Sequence, residues 1–264
     1  MKRICVFLFS GTGMTKYVID KLKHEFELLG LAVDVYFIET VKMESISPDS
    51  YDSIGIAYPV HAFNAPKIVI DFVKKLPEVK SLNTFVICTA GENSPLNFSS
   101  SALLIKILSR KGYRVFYDRL FEMPSNFFIK EGEVRVEEKI HKVSEEIPGS
   151  VQEIINLHPA KRKSNFLSGF ITFLGRLEWL GLAICGNIFH ATGKCVSCGL
   201  CAANCPNGNI VMGREKALFK RHCGLCMRCL YLCPNHCIEA FFLYKFISFN
   251  EWYKNEELRI PGID

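Results

Sequence analysis

The sequence predicts an α/β protein in which a doubly wound parallel sheet is followed by a small cysteine-rich domain. Three observations predict it. Short apolar runs alternate with amphipathic, helix-length segments over residues 1–121, which is typical of a parallel sheet with helices on both faces. Small polar loops follow several of these apolar runs. Eight of the twelve cysteines then fall between residues 195 and 233, in two similar runs.

Five strands and the intervening helices follow this pattern in chain order. The first strand, residues 2–9, contains a continuous apolar run from Ile4 to Phe9, as expected for a strand that is buried on both faces. The helix after it ends at Gly30, a typical C-terminal cap. The other predicted strands span 32–38, 53–58, 84–89 and 113–121, and the helices span 16–29, 66–76, 99–111 and 134–157. The last helix is expected to be interrupted at Pro148 and Gly149.

The loops after the first, third and fourth strands carry the unusual polar residues. Ligands of doubly wound sheets bind at the carboxyl ends of the strands, so these loops form the candidate binding site. They contain Ser10, Gly11, Thr12, Gly13, Met14 and Thr15, then Pro59, Val60, His61, Phe63 and Asn64, and finally Thr89, Ala90, Gly91 and Asn93.

The first of these loops suits a terminal phosphate. It is rich in glycine and hydroxyl groups and leads into a helix N-terminus, where backbone N–H groups and the helix dipole attract an anion. It lacks both the G-x-G-x-x-G pattern of dinucleotide sites and the G-K-[ST] ending of a P-loop. An ordinary polar turn is the alternative interpretation.

Each cysteine run reads C-x2-C-x2-C-x3-C-P, and this spacing predicts two [4Fe–4S] clusters. Three successive thiolates surround one cluster, and the proline then turns the chain so that the fourth cysteine reaches the other cluster. One cluster is therefore assigned to Cys195, Cys198, Cys201 and Cys233, and the second to Cys223, Cys226, Cys229 and Cys205. The runs are also an internal repeat, since CPNGNI at 205–210 resembles CPNHCI at 233–238.

Two other interpretations of the cysteine runs fit the spacing less well. A zinc ribbon usually has two separated C-x2-C pairs, and a disulfide framework suits a small secreted domain. The remaining cysteines, Cys5, Cys88, Cys185 and Cys237, are scattered and are interpreted as packing residues, with Cys237 also a neighbour of a cluster. Thiols that bind iron must stay reduced, so a reducing compartment is expected. Cytoplasmic localisation is predicted, because no cleavage site follows the short apolar N-terminal run.

Residues 1–160 resemble the flavodoxins, whose phosphate loop is typically [ST]-x-T-G-x-T, since the loop from Ser10 to Thr15 matches every fixed position. With the cysteine runs, the chain resembles, over nearly its whole length, the flavodoxin-like/ferredoxin fusion proteins of anaerobes, sometimes called EFR-type ferrodoxins. The resemblance implies FMN, a five-stranded sheet of order 2-1-3-4-5, and a small α+β bacterial ferredoxin-like domain. It also implies that loops 59–64 and 89–93 flank the flavin ring, with Phe63 a stacking candidate and His61 a hydrogen-bonding candidate.

The segment between the two domains is strongly apolar at 166–189, which would fit a transmembrane helix. Arg176 and Glu178 near its middle, and several glycines, argue against spanning. A buried or interfacial helix that docks the two domains is expected, and the basic run at 161–163 leaves peripheral membrane contact open. The predicted domains are 1–160, a docking linker at 161–190, the cluster domain at 191–240 and a tail at 241–264 that packs at the junction.

These features predict an electron-transfer protein that passes single electrons between two clusters and FMN. One alternative is an FMN-dependent reductase that uses NAD(P)H or reduces a quinone or another small molecule. Another is a ferredoxin-type adaptor with an empty flavin site. The net charge is −1 over residues 1–160 and +6 over residues 161–264, which suits ferredoxin- or flavoprotein-type redox partners. The sequence shows no nucleic-acid binding motif, so no nucleic-acid partner is expected.

Overall fold

The computed structural model describes residues 1–125, 131–177, 179 and 188–240. The predicted roles of Cys185 and of the tail at 241–264 lie outside the described residues. Within them, no helix is long and apolar enough to cross a membrane.

A six-stranded parallel sheet forms the centre of the N-terminal part. Its strands lie in the order β2-β1-β3-β4-β5-β6, and every neighbouring pair is parallel. They are β1 (Arg3–Leu8), β2 (Ala32–Phe37), β3 (Ser53–Pro59), β4 (Leu82–Ala90), β5 (Tyr113–Glu122) and β6 (Ala160–Lys161). The first five strands have the order of the flavodoxin-like arrangement, so this part of the chain has a flavodoxin-like α/β fold.

The prediction of five strands is wrong by one. β6 adds only two residue pairs, Tyr117 with Ala160 and Asp118 with Lys161, to the open edge of β5. A two-residue strand has no apolar run of its own, so the hydrophobic pattern does not reveal it. Next to it, the buried guanidinium group of Arg162 donates to both carboxylate oxygens of Asp118, at 2.8 and 3.2 Å. Strand and ion pair together attach the start of the predicted linker to the sheet.

Helices cover both faces of the sheet. Their bounds are α1 (Met14–Leu28), α2 (Lys67–Lys75), α3 (Ala102–Arg110) and α4 (Glu133–Ile155), and 3₁₀ turns lie at Met43–Ser45, Pro48–Ser50 and Pro95–Asn97. The expected interruption of α4 is wrong, since the helix runs through Pro148. Proline removes one backbone hydrogen bond, but Ile147 and Val151 on either side are buried in the core and stabilise the helix there.

Alternate residues of β1 pack into two different apolar cores. Ile4 and Val6 belong to the core formed with α1 and α4, whereas Cys5 and Phe7 belong to the core formed with α2 and α3. Because both faces of the strand are covered, the run must be apolar at every position, which explains its unbroken hydrophobic sequence.

Residues 189–240 form a small α+β unit with an apolar core of its own. β7 (Phe189–Ala191) pairs antiparallel with β10 (Ile238–Ala240), and β8 (Ile210–Met212) pairs antiparallel with β9 (Ala217–Phe219). Two one-turn helices, α6 (Leu200–Ala203) and α7 (Arg228–Leu232), pack against each other. A further helix, α5 (Phe166–Gly175), lies between the two parts of the chain in sequence.

The two cysteine runs repeat each other in backbone conformation. Three pairs of equivalent positions are left-handed, with φ between 45° and 78°. The pairs are Ser197 and Leu225, Gly199 and Met227, and Gly208 and His236. Left-handed residues turn the chain sharply, so each run curls into a loop whose cysteines face inward around a common space.

Candidate functional site

Two cavities lie in the cysteine-rich unit, and four motif cysteines line each of them. The first cavity is lined by Cys205, Cys223, Cys226 and Cys229. The second is lined by Cys195, Cys198, Cys201 and Cys233. The fourth cysteine of each run therefore lines the cavity formed by the other run.

The motif thiols line the two cavities without forming disulfides. All eleven described cysteines are free, so no disulfide links any of them. Within the described ranges, no group of three or more His, Cys, Asp or Glu side chains converges closely enough to bind a single metal ion.

Backbone N–H groups donate to several of the motif sulfurs. The N–H of Asn209 donates to Cys205 Sγ at 3.2 Å, that of Leu225 to Cys223 Sγ at 3.4 Å and that of Cys237 to Cys233 Sγ at 3.4 Å. Hydrogen bonds of this kind stabilise negative charge on sulfur and tune the reduction potential of a group bound there.

Burial opposes the charged form of the deepest thiols. It raises the pKa of Cys201 to about 11 and the pKa of Cys229 well above its ordinary value. Cys195 differs, because backbone N–H groups of Ala217 and Ser197 donate to its sulfur and lower its pKa. The buried thiols therefore need a cationic group in the cavity to become thiolates.

Cys237 is a fifth cysteine on the wall of the second cavity. It is buried, and its Sγ lies 3.4 Å from Cys233 Sγ. Burial raises the pKa of Cys237 to about 12. It is therefore a neutral thiol next to Cys233 in the absence of a bound group.

The loop from Ser10 to Thr15 joins β1 to α1. Gly13 has a left-handed φ of 96° and immediately precedes the helix, so backbone N–H groups of the loop lie at a helix N-terminus. The Ser10 hydroxyl accepts from the N–H of Lys16 at 3.3 Å, and Thr15 Oγ1 lies 2.8 Å from Thr89 Oγ1. The structure thus brings the first and third candidate loops together.

The cysteine-rich unit packs directly on this loop. A β-carbon added to Gly11 would lie 2.3 Å from the carbonyl oxygen of Cys226, so the two backbones are in contact. Beside them, Arg228 Nη2 donates to the Ser10 carbonyl at 2.7 Å and to Glu39 Oε1 at 2.6 Å. Both charged side chains are more than nine-tenths buried. Because Cys226 and Arg228 also line the first cavity, that cavity and the loop share a wall.

The second candidate loop packs on α5. The Thr172 hydroxyl donates to the Phe63 carbonyl at 3.1 Å, and the Asn64 amide donates to the Thr172 carbonyl at 2.8 Å. Phe63 and Ala62 are left-handed, and mutual backbone hydrogen bonds between His61 and Asn64 close the turn. Burial lowers the pKa of His61 to about 4, so its ring is neutral at physiological pH and cannot supply a cation to a ligand.

Hydrogen bonds from a side chain and from the backbone hold the third loop, residues 89–93, in place. Lys139 of α4 donates to the Gly91 carbonyl at 2.6 Å, and the Ala90 carbonyl accepts from the N–H of Met123. Val60 donates its N–H to the Thr89 carbonyl at 2.8 Å, which joins the second loop to the third. Pro59 ends β3 beside Thr89, and Asn93 is exposed.

These loops retain the chemistry that a flavin phosphate requires. Backbone N–H groups at the start of α1 and the hydroxyls of Ser10 and Thr15 are neutral donors, whereas the nearby cation of Arg228 is paired with Glu39. Neither cysteine-lined cavity is lined by a residue of loops 10–15, 59–64 or 89–93. The donor set therefore fits FMN, while Cys226 and α5 already cover part of the first and second loops.

Sequence reasoning missed Arg228 and Glu39. A signal for Arg228 was present, because the equivalent residue of the first cysteine run is the apolar Leu200. A charged residue that replaces an apolar one within a repeat indicates a contact that the other repeat does not make. Glu39 follows β2 without any local pattern, so only the fold reveals its role.

No family model matches this sequence, and no curated protein matches it. Among solved structures, Bacillus cereus flavodoxin 2 is 15% identical, with a TM-score of 0.44, covering 59% of this chain and 99% of that one. A Megasphaera elsdenii flavodoxin is 16% identical (57% and 98% covered, TM-score 0.41), and a flavodoxin from the domain Archaea is also 16% identical (58% and 99%, TM-score 0.36). The fold of the N-terminal part is assigned as flavodoxin-like on its own strand order.

Proposed function

We propose that this chain is an electron-transfer protein that binds two [4Fe–4S] clusters in its cysteine-rich unit and FMN on the loops of its flavodoxin-like sheet. One observation carries the proposal: Cys205 lines the cavity of the second run, and Cys233 lines the cavity of the first. This exchange gives each cavity four cysteine ligands, the number that a [4Fe–4S] cluster takes.

The walls of the cavities suit redox centres. Apolar side chains such as Phe189, Ile210 and Leu230 line the first cavity together with its cysteines, so water is largely excluded. The N–H groups that point at Cys205, Cys223 and Cys233 would offset part of the negative charge of the bound clusters. Burial and N–H to sulfur bonds are the levers by which a protein sets cluster potentials.

The flavodoxin-like part supplies the second half of the proposal. Ser10, Thr12 and Thr15, with the backbone N–H groups between them, would bind the FMN phosphate, and loops 59–64 and 89–93 would flank the ring. When bound, FMN exchanges one or two electrons, so it would connect one-electron clusters to a two-electron partner. The contact between Gly11 and Cys226 would place a phosphate bound on this loop near the first cysteine-lined cavity.

A second candidate is a ferredoxin-type adaptor that carries clusters but no flavin. This candidate is favoured because other parts of the chain pack on the loops that would bind the flavin. The carbonyl of Cys226 lies against Gly11, and α5 uses the Phe63 carbonyl and the Asn64 amide for its own hydrogen bonds. In this reading the flavodoxin-like sheet is a docking platform for the cluster unit.

One anaerobic preparation tests both candidates. We expect about eight iron atoms per chain, the content of two [4Fe–4S] clusters, with acid-labile sulfide to match and a paramagnetic signal on reduction. Extraction should release one FMN per chain. Eight irons with no flavin, even after incubation with excess FMN, would identify the adaptor. Reconstituted protein that binds only single zinc or iron ions would contradict the cluster assignment, and bleaching of the flavin by NADPH would identify a reductase.

The physiological partners would be ferredoxin- or flavoprotein-type redox proteins. The +6 charge over residues 161–264 offsets part of the negative charge of two cluster–thiolate units and attracts acidic surfaces. Complex formation with an acidic one-electron carrier should weaken as ionic strength rises, which affinity measurements at two salt concentrations would test.

A further inference from the structure

α5 presents its small polar residues to the protein and its large apolar residues to solvent. Ser168 and Thr172 are 0% and 1% exposed. Ser168 Oγ lies 2.7 Å from Ser99 Oγ, and Thr172 bonds to the Phe63 loop in both directions through its hydroxyl and carbonyl groups. Gly175 packs so closely on the Ala62 carbonyl that an added β-carbon would lie 2.1 Å from it. The inner face therefore docks through hydrogen bonds and close backbone contact.

The outer face is a stripe of aromatic and aliphatic side chains. Its members and their exposed fractions are Phe166 91%, Leu167 57%, Phe170 50%, Phe173 61%, Leu174 43% and Leu177 56%. They recur at the three- and four-residue spacing of one helix face. A surface helix of a globular protein normally buries such a stripe, and a contiguous exposed apolar patch marks an interaction surface.

The stripe is formed before any partner binds. The Asn165 side chain accepts from the N–H of Ser168 at 2.7 Å, and the Ser168 hydroxyl accepts from the N–H of Asn165 at 3.1 Å. This capping box fixes the start of the helix. Since the inner face is fixed to the 61–64 loop and to Ser99 at the same time, presenting the stripe requires no further ordering.

The charge around the stripe indicates what covers it. Lys161 and Lys163 are exposed immediately before the helix, and no acidic residue occurs from position 154 to position 177. Helices that lie in the interface of a bilayer bury a face of Phe, Trp or Leu and attract anionic lipid through Lys and Arg. In this chain the lysines immediately precede the apolar face. The lysines attract anionic headgroups while the apolar side chains enter the acyl boundary.

We propose that α5 is a membrane-surface anchor, which places the Phe166–Leu177 stripe in an anionic bilayer and Lys161 and Lys163 among its headgroups. The anchor lies parallel to the membrane and does not cross it. It would bring the cofactor-bearing chain to a lipid surface whatever cofactors it carries, so the proposal is independent of the function proposed above.

Vesicle binding by the full, anaerobically purified chain tests the proposal. Vesicles of phosphatidylcholine and vesicles that contain about one-third phosphatidylserine supply the neutral and anionic surfaces. We expect the chain to bind the anionic vesicles more tightly, with an affinity that falls as salt rises. Phe170→Asp together with Phe173→Asp should abolish binding. Leu28→Asp, at an exposed position of α1 (66% exposed), is the matched control and should bind like the unchanged chain.

The lysines give a second readout. At about 1 kcal/mol per lysine near an anionic surface, Lys161→Gln with Lys163→Gln should weaken binding roughly thirtyfold at low salt and much less at high salt. Iron content and the unfolding midpoint of each variant confirm that it is folded. Absence of vesicle binding, or binding that the paired Asp substitutions leave unchanged, would overturn the proposal. So would a self-association in lipid-free buffer that these substitutions abolish, because the stripe would then be a protein interface.

Discussion

Arg228 donates to the backbone carbonyl of Ser10 at 2.7 Å, across 218 positions of sequence. The same guanidinium nitrogen bonds to Glu39, whereas Arg228 Nε and Glu39 Oε2 have no hydrogen-bond partner within the described residues. Two charges are therefore taken out of water with their hydrogen-bonding capacity incompletely used. Such a pair contributes little net stability but fixes the relative position of the elements that carry it. Here it fixes the second cysteine run on the end of β1.

Replacing Arg228 with Gln should destabilise the docked chain. Removal of one partner leaves Glu39 buried and unpaired, which costs about 3–5 kcal/mol in the free energy of unfolding. Anaerobic urea unfolding measures the loss. Asp71→Asn is the control, because its surface pair with Lys67 should contribute at most about 1 kcal/mol. Glu39→Gln added to Arg228→Gln should cost much less than the sum of the two single changes. A loss for Arg228→Gln no larger than the control's would contradict this role.

Each cysteine run contributes its fourth cysteine to the cavity of the other run, and double substitutions can test this exchange. Cys205→Ala with Cys226→Ala should remove only one cluster, so about four irons remain of eight. Cys205→Ala with Cys201→Ala should remove both clusters, because the two residues line different cavities. Cys237→Ala is the control and should keep about eight irons. If the two double variants exchanged these results, each cluster would be bound within a single run.

The proposed phosphate-binding role of the Ser10–Thr15 loop can be tested by replacing threonine with valine, which removes the hydroxyl and keeps the shape of the side chain. If FMN binds as proposed, Thr12→Val with Thr15→Val would remove two charge-assisted hydrogen bonds to its phosphate, worth roughly 1.5–3 kcal/mol each. The affinity for FMN should fall by about two to four orders of magnitude in a flavin titration. Thr40→Val, an exposed change after β2, should leave the affinity unchanged. If the paired Val variant bound FMN as tightly as the unchanged chain, the loop would be only a turn.

The Arg162–Asp118 ion pair should be essential to the edge of the sheet. Arg162 also donates to Asn97, Ser100 and Ser101, so Arg162→Met would leave a buried carboxylate and several acceptors without their donor. We expect a loss of about 3–5 kcal/mol in unfolding free energy. Arg3→Met, which removes the exposed pair with Asp34, should cost far less, because solvent screens that pair. Equal losses would show that β6 is held by its backbone alone.

Local patterns predicted much of the fold, and long-range contacts account for the rest. The apolar run of β1 and the glycine- and hydroxyl-rich loop before α1 are properties of short segments, so the sequence pattern located them. Cysteine spacing predicted which thiols gather around each cavity, and the cluster content remains a prediction. The sixth strand, the ion pair of Arg228 with Glu39 and the outward face of α5 depend on partners far away in the chain. No periodicity within one segment encodes them.

Gly11 stands at the variable position of the [ST]-x-T-G-x-T pattern, where a phosphate loop considered alone places no demand on the side chain. In this chain the position is an intramolecular joint, since even a methyl group there would push against the Cys226 carbonyl. The residue that matters least to a bound phosphate is thus the one that limits how closely the two halves of the molecule meet. Which amino acids a loop accepts is decided here by the neighbouring domain as much as by any ligand.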